Sequence, residues 1–206
     1  MKKYSKIISL IVAMVIMVTM FAGCGEIKKA EKTVNSAFTA LKTLNFENAS
    51  EYMDIDELIK SEDEENGALS LDSQVILEPL FSKLEYEIIS SEKIDKNTVI
   101  VKTKITAIDM KPVLNEFIKK AFEYAFANAF LSPQPSEEET DAKMIEMFVE
   151  CVSKEDLAMV TNEIDIKVVK VDKKWRIEPA DELSNALLGG LVKAAEEISN
   201  SFNSVE

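Results

Sequence analysis

Histidine is absent from the 206 residues of the chain. Without imidazole there is no general base of that type, no Ser–His or Cys–His nucleophile and no imidazole ligand for a metal ion. Glycine is also scarce, with five residues, and no glycine-rich loop leads into a predicted helix, which excludes a phosphate cradle of that kind. Carboxylates, tyrosine, lysine and serine are the remaining catalytic residue types.

Cysteine is nearly absent as well, because Cys24 and Cys151 are the two in the sequence. Cys151 shares a helical apolar stripe with Met147 and Phe148, and this spacing is typical of a small core residue. The alternative, a reactive nucleophile or redox switch, lacks a histidine to activate the thiol. If Cys24 is modified, Cys151 is the one thiol left and no intramolecular disulfide forms.

Positive charge is in deficit, with 24 basic residues against 37 acidic residues and a net charge of −13. Such a charge argues against nucleic acid as a partner and against electrostatic adsorption to an anionic lipid surface. The exception is a cluster of lysines at 28, 29 and 32, for which contact with lipid headgroups and simple solvation are both open. Any attachment to the membrane must therefore come from something other than electrostatic attraction.

The first residues have the pattern of a secretory signal. Lys2, Lys3 and Lys6 precede an uncharged segment at residues 7–20 that consists mostly of Ile, Val, Leu and Met. This segment is shorter than the ~20 residues of a membrane-spanning helix, but counting on through Ala22 brings it near the lower end of the spanning range, so length alone leaves the choice open.

Phe21, Ala22, Gly23 and Cys24 follow this segment directly. Their order resembles the lipobox of bacterial lipoproteins, with Phe21 where leucine is usual. The resemblance implies that signal peptidase recognises residues 21–23, that the chain is cut before Cys24 and that diacylglycerol is attached to the Cys24 thiol. The alternative is an uncleaved signal anchor with an incidental cysteine.

We therefore expect a signal peptide at residues 1–23 and a single extracytoplasmic domain at residues 24–206. The lipid bilayer is the expected partner, through acylated Cys24, at the outer face of the cell membrane. Each buried methylene contributes ~0.8 kcal/mol, so two or three acyl chains would hold the protein firmly. We expect no other cofactor and no metal. Around the acidic loop at residues 61–67, the ligand spacing of a calcium-binding loop counted from Asp54 fails at Leu58, which leaves a weak, nonspecific divalent site as the alternative.

Hydrophobic periodicity predicts helices at both ends of the domain and two β-hairpins between them. A helix from Glu26 is followed by a short helix capped by Asn45. Period-two alternation predicts a first hairpin from Leu84 and a second around Asp172. The terminal helix is predicted to contain Gly189 and Gly190, where close packing or a kink is expected.

A long helix capped by Asp109 is predicted to run to about Leu131, and residues 132–140 are predicted to be a surface loop. Together these elements predict an α+β fold. Its N-terminal helices precede a curved antiparallel sheet of about four strands, built from two hairpins, with long helices on one face.

The order of a helix, the segment LNFENASEYMD and hairpins resembles the cystatin-like or nuclear transport factor 2-like fold. The whole segment after Cys24 resembles uncharacterised lipoproteins of Gram-positive bacteria that are built on it. Some enzymes of this fold use Tyr with a carboxylic acid, which would make Tyr86 with Asp109 or Glu87 a conceivable set. With 37 acidic residues such pairings also arise by chance, so we expect a non-catalytic protein.

A binding or interaction module is the expected function. One alternative is a mostly apolar pocket for a small ligand on the sheet face. Its lining would be Tyr86, Ile88, Val101, Ile105, Ile166 and Trp175. The same residues would equally serve as core under the helices. The other alternative is an envelope protein-protein contact, or a structural role, through Phe122, Phe126 and Phe130 if the long helix is not covered.

Lipid attachment is tested by replacing the acceptor cysteine. Cys24→Ala is expected to abolish fatty-acid labelling of the protein and to leave the precursor uncut, because the variant has no thiol at the acylation position. Metabolic labelling with a fatty acid and the size of the product measure both effects. Continued labelling of Cys24→Ala would refute the lipobox interpretation.

Overall fold

The computed structural model of the protein describes residues 25–59 and 74–203. The predicted signal peptide, Cys24 and the acidic loop at 61–67 lie outside these residues. Within them, no helix is both long enough and apolar enough to cross a membrane.

The described chain contains the following elements. Residues 25–42 are helical (α1). The later helices are α2 Phe46–Ser50, α3 Ile55–Ile59, α4 Gln74–Ser82, α5 Met110–Asn128, α6 Glu137–Val152, α7 Asp181–Leu187 and α8 Leu191–Asn203. The strands are β1 Glu85–Lys93, β2 Thr98–Ile108, β3 Met159–Val171 and β4 Lys174–Ile177.

The four strands form one antiparallel sheet in the order β1-β2-β3-β4. The predicted α+β fold and its two hairpins, β1–β2 and β3–β4, are confirmed. Side chains alternate between a covered and an open face, as period-two sequences require. Val101 and Ile105 are fully buried on the covered face, whereas Lys104 between them is exposed.

Helices pack on the covered face. Phe38 of α1 makes an edge-to-face contact with Tyr86, with ring centroids 5.1 Å apart, and the Tyr86 hydroxyl donates to the Asn35 carbonyl at 3.3 Å. Glu26 at the start of the described α1 pairs with Lys93, so α1 runs along β1 from its last residue toward its first. Farther along the sheet, α7 packs on β2 and β3.

Two helix caps predicted from the sequence are confirmed. The Asn45 and Asp109 side chains accept backbone N–H bonds at the starts of α2 and α5, as predicted. The loop predicted at residues 132–140 is wrong in its second half, because α6 begins at Glu137. Ser136 and Glu139 form a reciprocal capping box, and the glutamates interpreted as loop residues occupy the first helical turn, where the helix dipole favours them.

The helices α5 and α6 form a hairpin that leaves the sheet. Only the first turns of α5 enter the core, through Met110, Val113 and Leu114. The helix contacts α8 close to its own start and packs on α6 beyond that. Phe117 and Phe148 hold the base of the hairpin together with ring centroids 5.6 Å apart.

The terminal helix is interrupted at Gly189 and Gly190, which corrects the prediction that both lie inside it. These residues have φ values of 58° and 80° and separate α7 from α8. The predicted close packing is confirmed, because a Cβ at Gly189 would lie 1.7 Å from the Ile108 carbonyl oxygen. The Gly189 carbonyl also accepts the Met110 N–H at 3.0 Å.

The two glycines provide a matched pair of substitutions. Gly190→Ala is expected to lower the free energy of unfolding by ~1–2 kcal/mol because its φ is left-handed. Gly189→Ala has the same backbone penalty plus a clash with a carbonyl, and is expected to cost more than ~3 kcal/mol. Urea denaturation of residues 25–206, followed by Trp175 fluorescence, measures both. Equal losses for the two variants would contradict the close approach to Ile108.

Candidate functional site

The six residues predicted to line a pocket share the covered face of the sheet. The register pairs Tyr86 with Ile105 and Val101 with Ile166. Val101, Ile105, Ile166 and Trp175 are buried, and Tyr86 and Ile88 are half-buried against the same core. The helices thus meet these side chains, and the arrangement is that of a core. A ligand pocket among them stays a prediction.

Two polar groups on this face, the Trp175 indole N–H and the Ser91 hydroxyl, are not satisfied by the described residues. The indole N–H of Trp175 is buried and has no hydrogen-bond partner among the described residues. A buried donor without an acceptor costs free energy. An acceptor on a small ligand would relieve that cost, and this is the observation that favours the pocket.

The conceivable Tyr–carboxylate set is not brought together. Tyr86 and Glu87 are consecutive in β1 and therefore point to opposite faces. Asp109 lies beyond Ile105, the partner of Tyr86, by about 13 Å at the usual strand rise. Its carboxylate accepts the Lys111 backbone N–H at 3.1 Å as a helix cap. Within the described residues, no three His, Cys, Asp or Glu side chains are placed to hold a metal ion.

Cys151 lies in the core, as its helical spacing predicted, with 1% of its surface exposed. Burial raises the pKa of its thiol, and the nearby Lys120 ammonium opposes this only in part. The reactive thiolate is therefore less populated than in a free cysteine. Both the pKa and the lack of access oppose a nucleophilic role.

The far half of α5 is the notable surface feature. Phe122, Phe126, Phe130 and Leu131 are 59%, 73%, 82% and 52% exposed, and we call these four residues the Phe patch. The rings of Phe126 and Phe130 contact edge to face with centroids 5.9 Å apart. The sequence predicts a contact through the phenylalanines only if the long helix is not fully covered, and their exposure shows that it is not fully covered.

Other exposed apolar side chains of the described residues are scattered over different elements. They are Val75, Ile89, Ile94, Met159 and Val171. Single apolar residues on a surface need no explanation, whereas a contiguous group often marks an interaction site. The Phe patch is therefore our candidate functional site.

The helical hairpin has lysine–glutamate ion pairs at its base and a segment with acidic but no basic residues toward its tip. At its base, Lys120 pairs with Glu150 at 2.8 Å, and Lys154 pairs with Glu116 at 2.5 Å. The pKa values of both glutamates are held below the usual range by hydrogen bonds from these lysines. Residues 121–142, by contrast, contain acidic residues and no lysine or arginine.

A concave feature lies where α5 and α8 begin, with a volume of about 170 Å³. Its polar lining includes Asn162, Asn185 and the pair Lys111–Glu197, joined at 2.7 Å. The pKa of Glu197 is lowered by the hydrogen bond from Lys111. This polar cleft differs in position and chemistry from the apolar pocket that the sequence predicts.

Comparison with known proteins found few similarities. No protein-family model matches the chain, and no curated protein matches it. Among solved structures, the chain is similar to a crystal structure from Bacillus subtilis described as a "putative lipoprotein (ycdA)". The identity is 21% over 56% of this chain and 38% of that one, with a TM-score of 0.41. The chain thus spans well under two thirds of that protein, and at this TM-score neither fold nor function is transferred.

The accessibility of Cys151 is directly measurable. In residues 25–206 it is the sole thiol, and iodoacetamide at pH 8 is expected to alkylate it at least about tenfold more slowly than a free cysteine, because it is buried and its pKa is raised. Denaturation in urea is expected to restore the full rate. Rapid labelling of the folded protein would contradict the core placement.

Proposed function

We propose that this protein is a lipid-anchored, extracytoplasmic lipoprotein that acts as a non-catalytic interaction module and binds its partner through the Phe patch. The sequence of Phe21, Ala22, Gly23 and Cys24 supports the anchor and the address. The absence of histidine and the buried Cys151 thiol support a non-catalytic role.

The single observation that carries the interaction surface is the exposure of the Phe patch. At these exposures the four side chains leave on the order of 500 Å² of apolar surface in water, given the area of such residues. A helix that served only the fold would place its phenylalanines inward, as α5 does at Phe117, which packs against the core. The patch is therefore explained best by a partner that covers it.

The position of the hairpin suits this role. Glu26 pairs with Lys93 at one end of the sheet, whereas α5 starts after Ile108 at the other end. The strand β2 between these ends spans roughly 35 Å at the usual rise. A lipid on Cys24 would be next to the Glu26 end, so the hairpin leaves the body at the end that faces away from the anchor.

A second candidate function is the binding of a small apolar ligand under the sheet, favoured by the unpartnered Trp175 indole. It is the weaker candidate because Val101 and Ile105 are fully buried in protein contacts. The cystatin-like or nuclear transport factor 2-like resemblance also stays a proposal. It does not account for the long helical hairpin between β2 and β3.

Photo-crosslinking in cells tests the interaction surface. A photoreactive phenylalanine analogue at position 126 is expected to give a discrete adduct with a cell-envelope protein, because the ring at that position is 73% exposed. The adduct is expected to disappear when Phe122→Ser and Phe130→Ser are added. The same analogue at Ile89, which is 46% exposed on β1, is the matched control and is expected to give none.

Adducts of equal yield at positions 89 and 126, or none at 126, would contradict the proposal. Native mass spectrometry of the protein purified from its host distinguishes the second candidate function, binding of a small ligand, from the first. A bound small molecule that is lost in Trp175→Phe would support the pocket instead.

A further inference from the structure

We propose that the end of the domain next to Cys24 lies against an anionic bilayer surface, and that this contact orients the domain so that the α5–α6 hairpin points away from the membrane. The contact surface, which we call the basic end, consists of three segments. They are residues 25–32 at the start of α1, residues 93–97 at the β1–β2 turn and residues 170–174 at the β3–β4 turn. The inference rests on the proposed lipid anchor and specifies which surface of the domain the lipid meets.

The three segments meet at one end of the sheet. The Lys170 N–H donates to the Asn97 carbonyl at 2.8 Å, which joins the two turns. Glu26 at the start of the described α1 pairs with Lys93. The hydrogen bond from Lys93 lowers the pKa of the Glu26 carboxyl, and the charges of Lys170 and Lys29 lower it further. The start of α1 and both turns therefore form one surface.

The charge of the basic end is opposite to that of the rest of the domain. Its three segments contain eight lysines and four acidic residues, whereas the remainder of residues 25–206 contains 13 basic and 33 acidic residues. The net charges are thus +4 and −20. An anionic surface attracts the first and repels the second, so it favours one orientation of the domain.

Most lysines of the basic end are accessible to a surface. Six of them are exposed and form no ion pair with a described residue. They are Lys28, Lys29, Lys32, Lys96, Lys173 and Lys174. Two of the four acidic residues have partners within the basic end. Glu26 pairs with Lys93, and the Asp95 carboxylate accepts the Asn97 backbone N–H at 2.6 Å.

The predicted acyl group would bring this surface to the bilayer. Cys24 directly precedes Gly25, and consecutive Cα atoms are ~3.8 Å apart. Charges within about 8 Å of the headgroups are incompletely screened at physiological salt. Ile94 and Val171 lie at the two turns and are 55% and 50% exposed, and apolar side chains among lysines favour contact with a lipid interface. A soluble acidic protein would meet the same lysines, but the chain does not bring one to them.

Fluorescence quenching in nanodiscs tests the orientation. The full-length lipoprotein is reconstituted into nanodiscs of phosphatidylcholine, alone or with about one third phosphatidylglycerol, and a spin-labelled headgroup is the quencher. A fluorophore is attached at Asn97→Cys in the basic end or at Ala127→Cys in the outer half of α5. Both positions are exposed, whereas Cys151 is buried. Phosphatidylglycerol is expected to increase quenching at position 97 at least about threefold and to leave position 127 unquenched.

Variants assign the effect to the lysines. Lys28→Gln, Lys96→Gln and Lys174→Gln, one from each segment, are together expected to abolish the increase at position 97. Three exposed lysines outside the basic end provide the matched control, which has the same change in net charge and is expected to keep the increase. They are Lys42→Gln, Lys104→Gln and Lys119→Gln. About 0.5 M NaCl is expected to abolish the increase through screening.

Equal quenching at position 97 in both lipids, or an increase that the control variant also loses, would overturn the basic end as a lipid contact. Quenching at position 127 instead would place the Phe patch on the bilayer and overturn the orientation. If phosphatidylglycerol has no effect but soluble polyglutamate binds, and the variant of the three segments loses it, the basic end is assigned to an acidic protein and the proposal is overturned.

The same preparation separates this inference from the proposed function. Protein that does not co-purify with phosphatidylcholine nanodiscs would overturn the lipid anchor, and the inference with it. Protein that co-purifies but shows no effect of phosphatidylglycerol overturns the inference alone. Photo-crosslinking through the Phe patch is independent of both results.

Discussion

The junction at the end of β2 is the constraint on which the rest of the structure depends. There the Asp109 N–H donates to the Ala158 carbonyl at 2.8 Å and the Met110 N–H donates to the Gly189 carbonyl at 3.0 Å. These bonds join the end of β2, the approach to β3 and the break between α7 and α8. Since α5 starts at this point, the junction also sets where the helical hairpin leaves the sheet.

The hairpin combines a firm base with an accessible tip. Its base has the contact of the half-buried Phe117 with the buried Phe148 and the ion pairs of Lys120 and Lys154. Exposed ion pairs of this kind contribute little to stability individually, so the two rings matter more. Toward the tip, packing decreases while apolar exposure increases from Phe122 to Phe130. This gradient separates the residues that maintain the fold from those whose side chains are exposed to solvent.

Much of the local structure was predictable because its causes are local. Caps at Asn45 and Asp109, the alternation along β2 and the stripe around Cys151 depend on neighbouring residues only. The start of α6 was missed because its glutamates were interpreted as loop residues, although Ser136 and Glu139 have capping-box spacing. Both glycines, Gly189 and Gly190, were predicted to lie inside the terminal helix. The helix instead breaks at them because of the close approach of Ile108, which is distant in sequence.

The sequence by itself determined the charge of the chain, the lack of histidine, the strand alternation and the pattern at Cys24 on which the predicted anchor rests. Only the tertiary structure decided which apolar stripes are covered. The stripe of Val101 and Ile105 and the stripe of Phe122 and Phe130 both have the spacing of a buried face. Helices pack on the first, whereas α5 leaves the body before the second begins, because burial depends on where whole elements are placed and not on the spacing within one.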